Sequence, residues 1–128
     1  MSTRSSIAVQ YPNGSVAAVY CHFDGYLDGV GRDLVKNYNS FDQAQALVKQ
    51  GDMSSPGTPY TTRGEKFEDV APREYASFEE YLQRVDRDID HNGFKYIFKD
   101  GCWKAHGRYE GLDETPKALL SLLKDVDP

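Results

Sequence analysis

The chain has 128 residues, 39% of them hydrophobic and 27% charged, with nine Tyr, six Phe and one Trp. That is the usual size of a single domain with one buried core, and the aromatic content excludes a disordered chain. A formal charge of −5 leaves no basic footprint of the kind that nonspecific nucleic-acid binding relies on.

Residues 1–64 carry five charges of each sign and residues 93–128 six of each, so the whole acidic excess falls in 65–92, with nine acids against four bases. This strip reads as a solvated face, and Asp86, Asp88 and Asp90 are its candidate partner surface, since exposed rim charges tune encounter with a basic partner. Residues 1–9 contain no apolar signal core, and the longest apolar run, Val16–Cys21, is too short to span a bilayer. Two cysteines, Cys21 and Cys102, do not make a disulfide framework. The expectation is a cytoplasmic protein with free thiols and no membrane segment.

In chain order, the first predicted element is a β-hairpin. Ile7, Val9 and Tyr11 alternate with smaller or polar residues, Asn13-Gly14 offers a two-residue type I′ turn, and residues 16–22 return. That turn sets Tyr11 opposite Val16, Val9 opposite Ala18 and Ile7 opposite Tyr20. Ala8, Val19 and Cys21 make the other face half apolar, so the pair is expected at the centre of a sheet, covered on both sides. A helix over residues 29–38 follows, with Val30, Leu34 and Tyr38 on one face. Ser40 with Gln43 is a capping box for the next helix, which stops near Gly51.

No period holds from residue 52 to 76, although a short strand over 60–63 fits the pattern. A loop of that length is unusual in a small domain. Ser77 with Glu80 opens a helix carrying Phe78, Tyr81, Leu82, Val85 and Ile89, which ends at Asn92-Gly93. The second hairpin joins residues 94–99 and 102–106 through Asp100-Gly101, again a type I′ signal. Its register puts Phe94, Tyr96, Phe98 and Trp103 on a core face, and leaves Lys95, Lys99, Cys102, Lys104 and His106 toward solvent. Thr115-Pro116 is an N-cap with proline at the first helical position, predicting a terminal helix through Leu119, Leu120, Leu122 and Leu123. The expected fold is therefore α+β: one domain, residues 1–128, with an antiparallel sheet of two β-hairpins covered by about four short helices.

The densest polar and aromatic cluster is segment 22–32, where His22, Phe23, Asp24, Tyr26, Asp28 and Arg32 crowd around glycines between a central strand and a helix. Loops held by rigid elements are where binding residues concentrate, and aromatics and arginine most often anchor interfaces. These six are the candidate binding residues. Gly29-x-Gly31 could turn amides toward an anion, giving a small-ligand or nucleotide site as the second reading. The dinucleotide and phosphate-loop fingerprints are both missing. His22 with Asp24 as base and orienting carboxylate gives a hydrolase as the third reading. Cys21, His22, Cys102 and His106 are zinc-type ligands, but their spacing matches no finger or ribbon. No metal, cofactor or catalytic residue is assigned.

The run Tyr20-Cys21-His22-Phe23-Asp24-Gly25-Tyr26, followed by Gly29-Val30-Gly31, resembles a family of small phage and prophage proteins. Residues 1–5, Ile7 and the later Phe98-Lys99-Asp100-Gly101-Cys102-Trp103 resemble it too. The likeness covers mainly residues 1–55 and 94–108. It departs at Phe23, where the pattern has tryptophan, and at Leu27, where it has proline. Segment 65–92 has no counterpart. The resemblance implies a non-enzymatic accessory protein that binds and modulates or inhibits a host factor, including one of a defence system.

Overall fold

Both hairpins form, and they lie side by side in one sheet. The structure is a computed structural model and describes residues 4–22, 25–53, 56, 72–89, 94–106 and 117–119. Its elements in chain order are β1 (Ser5–Gln10), β2 (Val16–Cys21), a wide π-helical turn (Leu27–Gly31), α1 (Arg32–Asn37) and α2 (Phe41–Lys49), then β3 (Arg73–Tyr75), α3 (Phe78–Asp88), β4 (Phe94–Lys99), β5 (Cys102–His106) and β6 (Lys117–Ala118).

Among the described residues the sheet has the order β3-β2-β1-β4-β5-β6. It is mixed, which corrects the antiparallel expectation. β1 and β4, the first strands of the two hairpins, pair in parallel, with Ile7 beside Tyr96 and Val9 beside Phe98. Both strands are buried on both faces, which suits the centre of a sheet, where parallel pairs are found.

The second hairpin has the register its turn dictates, with Phe98 opposite Trp103 and Tyr96 opposite Ala105. Asp100 and Gly101 both take positive φ, 56° and 83°, as a type I′ turn requires. The first hairpin is slipped by one residue from the expected pairing: Ile7 faces Val19 and Val9 faces Ala17. Its loop has three residues, closed by Tyr11 N to Ser15 O at 2.9 Å and Gly14 N to Tyr11 O at 2.9 Å. Pro12 is the cause. Its fixed φ suits the first central position of a type I turn, which leaves the left-handed step to Gly14, at φ 92°. The slip exchanges the faces of β2.

One sheet face carries the main core. Ile7, Val9, Val19, Phe94, Tyr96, Phe98 and Trp103 pack there with Leu34 of α1 and Ala44, Leu47 and Val48 of α2. Ser40 caps α2 as expected, its Oγ accepting from Gln43 N at 3.2 Å. On the opposite face Ala8, Val16, Ala18 and Ile97 pack with Tyr75, Tyr81 and Val85 beneath α3. This corrects the solvent assignment made for Lys95 and His106, which are 4% and 1% exposed. The amphipathic helix that Ser77 starts, its Oγ accepting from Glu80 N at 3.2 Å, has to cover something, and it covers this face.

Two further expectations change. Lys117–Ala118 pairs with β5 as a strand where the terminal helix was expected to have begun; Leu119 is helical, and Thr115-Pro116 and residues 120–128, with the rest of that expected helix, lie outside the described residues. Residues 60–63 also lie outside them, while β3, within the stretch read as irregular, pairs with β2. Three α-helices and the π-helical turn are described, against about four helices expected. No helix of the described residues is long and apolar enough to cross a membrane.

β3 also anchors α3 through Tyr75, whose hydroxyl donates to Asp88 Oδ2 at 3.0 Å. Burial first, then this hydrogen bond, holds the phenol protonated well above the ordinary tyrosine range. The folded pKa is raised, so the contribution is intact below pH 10.0, the ordinary value, and is lost as pH rises past it, where only the unfolded chain ionises. Denaturation midpoints measured at about pH 9 and about pH 11 are expected to fall with pH in the parent and fall less in Tyr75→Phe. Equal slopes in the two proteins would remove Tyr75 as the source.

Candidate functional site

The segment singled out by sequence leaves the end of β2, at the edge of the sheet opposite the two hairpin turns. Its backbone is tied down from below. Tyr96, on the core face of β4, donates its buried hydroxyl to Gly25 O at 2.6 Å. Gly29 N donates to Tyr26 O at 3.0 Å, and Gly31 N to the same carbonyl at 3.5 Å, which gives the turn its π width. A Cβ on Gly31 would lie 3.2 Å from both the Tyr96 ring and Leu119. Gly31 is therefore a packing glycine: it lets the helix start sit on the tyrosine. The sequence had suggested amide display to an anion as its use.

The resulting platform presents Tyr26, 40% exposed, as the large hydrophobic side chain that reaches solvent among the described residues. Arg32, half-buried, opens α1 just behind it. His22 is half-buried and its Nδ1 is 2.6 Å from the Tyr20 hydroxyl, with the rings 5.8 Å apart. Phe23 and Asp24 lie outside the described residues, as does the side chain of Asp28. The His22–Asp24 pair of the hydrolase reading falls there too.

Cys21 and His22 project from opposite faces of the sheet, and Cys21 is fully buried. His106 is buried under α3, its Nε2 3.4 Å from the Tyr81 hydroxyl, and Cys102 lies at the far end of β5. The four zinc-type ligands do not converge. Of the acidic candidates, Asp88 is engaged by Tyr75 and, at 3.5 Å, by Arg87 Nε. Asp90 and the Asp86 side chain lie outside the described residues.

Sequence reasoning missed the groups that brace this end of β2. β3 pairs only as far as Ala18, and beyond it the outer edge of β2 is completed by Asp52 and Met53. Asp52 Oδ1 accepts from Tyr20 N at 2.9 Å and from Arg73 Nη1 at 2.6 Å. Met53 N donates to Tyr20 O at 2.9 Å, and His22 N to Met53 O at 3.1 Å. The carboxylate thus replaces part of a missing strand. No local sequence signal joins Asp52 to Tyr20; only the sheet order does.

A separate groove of about 280 Å³ lies between the hairpin turns, lined by Gln10, Tyr11, Phe41, Phe98 and Lys99 among others. It is at the opposite end of the sheet from His22 and belongs to neither the loop nor its braces. Comparison with known proteins gives no family model, no curated protein and no solved structure that matches this chain.

Proposed function

We propose that this is a small non-enzymatic binding protein whose recognition element is segment 22–32, directed at a host factor of the bacterium that a phage or prophage occupies. The observation that carries the binding part is the exposed Tyr26 on a backbone fixed by Tyr96 and Gly31. An aromatic side chain on a rigid turn loses little freedom on association, which is what makes such residues anchors. π-helical turns are frequent at functional sites. The host-directed part is supported by the resemblance of the Tyr20–Tyr26 run and Gly29-Val30-Gly31 to phage proteins, and a blocking or anti-defence role follows from it.

The test is capture of a partner from a bacterial lysate by the intact protein, repeated with Tyr26→Ala, His22→Ala, Asp24→Ala and Arg32→Ala. Tyr26→Ala is expected to weaken binding at least about tenfold, with the melting temperature shifted by less than about 3 °C. The exposed α3 residue Gln83, changed to alanine, serves as a control that keeps the partner. If all four loop variants retain full binding, or all four unfold, the segment is scaffolding and the reading is wrong.

A further inference from the structure

The parallel pairing of β1 with β4 sets the two hairpin turns side by side at one end of the sheet, and the groove between them is a product of that pairing. Its walls are aromatic. Tyr11 meets Phe41 edge-on, with centroids 6.0 Å apart and planes at 79°, and the buried Phe98 of β4 adds a third ring. The groove is also held in shape before anything enters it. Asn13 Oδ1 accepts from Ser15 N at 3.0 Å and from Ser15 Oγ at 2.7 Å, and Ser40 caps the helix that Phe41 begins. A preformed site loses less freedom on binding.

The charges at this end are already matched. Lys99 and Lys104 reach Asp100 Oδ2 at 3.2 and 3.5 Å, and the Lys99 ammonium lies 5.2 Å from the Phe78 ring, across the sheet from Phe98. What the lining offers is therefore ring surface and neutral polar groups. Among the latter, the Tyr11 hydroxyl makes no hydrogen bond with another described residue. An occupant that complements this lining carries no charge where it enters.

Size and topology narrow the occupant further. At about 280 Å³ the groove is smaller than the roughly 300–1,000 Å³ of pockets that enclose a whole small ligand, and exposed Pro12, Asp100 and Gly101 leave it open to solvent. A docked helix is read through anchors spread over two turns, more than a groove of this size takes. No strand can add here, because β1 and β4 are paired on both sides and present no open ladder edge. We propose that the groove binds an uncharged, proline-containing segment of a partner protein in the polyproline II conformation. Such a segment seats its rings between aromatic side chains, and its backbone, without internal hydrogen bonds, turns free carbonyls toward donors such as the Tyr11 hydroxyl. The proposal does not rest on segment 22–32, which lies at the other end of the sheet.

Labelled oligoproline is the probe, added to the intact protein and followed by fluorescence anisotropy and by amide chemical-shift mapping. Saturable binding is expected, with the shifted amides at Tyr11, Phe41, Phe98 and Gly101, and with an affinity that salt leaves unchanged. Phe41→Ala should weaken it at least about tenfold and Tyr11→Phe about threefold, while Gln83→Ala on the exposed side of α3 keeps it. No binding, binding that shifts amides elsewhere, binding that survives both groove substitutions, or binding that falls steeply with salt overturns the proposal. So does an acidic peptide, a basic peptide or free indole that occupies the groove where oligoproline does not. If Phe41→Ala does not fold, the shift map of the parent and Tyr11→Phe decide.

Discussion

Replacing Trp103 by alanine is expected to cost about 3–5 kcal/mol of stability, the largest loss from any single side chain considered for this protein. Its ring is 2% exposed and meets Phe98 edge-on, with centroids 5.5 Å apart. The indole also does something a smaller aromatic cannot: Nε1 donates to Tyr38 O at 2.9 Å, fastening the end of α1 to the sheet. Trp103→Phe should therefore lose about 1 kcal/mol for the hydrogen bond, plus a smaller packing term. Urea denaturation of the three proteins measures both. A loss below about 1 kcal/mol for Trp103→Ala would mean that this face of the second hairpin is not the core.

Asp52→Ala is expected to cost about 2–3 kcal/mol, large for a residue outside the apolar core. The substitution strands the Tyr20 amide at the unpaired part of β2 and frees the Arg73 guanidinium, whose side chain is 32% exposed and so can turn to water. Most of the loss should therefore come from the amide. Asp52→Asn keeps an oxygen for Tyr20 N and gives up only the charge, so it should lose about half as much. Denaturation midpoints distinguish the two contributions. An asparagine variant as weak as the alanine variant would assign the role to the ion pair instead.

How far the sequence could be read depended on whether each signal was local. Asp100-Gly101 specifies a turn and a register within a few residues, and the hairpin is as expected. Asn13-Gly14 is an equally local signal, yet Pro12 beside it selects another turn, and the whole strand slips. The capping serines Ser40 and Ser77 start their helices where expected, because their hydroxyls act on amides three residues away. The parallel seam of β1 and β4 has no such marker, since nothing in the pattern of either strand says which neighbour it takes. The same gap explains the burial of Lys95 and His106. Alternation showed that they lie opposite Trp103, but not that α3 would come to rest over them. Within segment 22–32 the glycines and aromatics were visible, whereas the reason for Gly31, a tyrosine ring from β4, was not.

Among the described residues the outer strands of the sheet are its shortest, three residues in β3 and two in β6. Each begins directly after a proline, Pro72 and Pro116. A proline has no amide to donate, so a proline just before an edge strand disfavours lengthening that strand backward into a regular ladder. Sheets with long open margins invite edge-to-edge growth into fibrils, and the central strands here, with Ile7, Val9, Phe94, Tyr96 and Phe98 on one face, would be good material for it. Among the described residues, the prolines limit how far either edge strand can serve as a template for another copy.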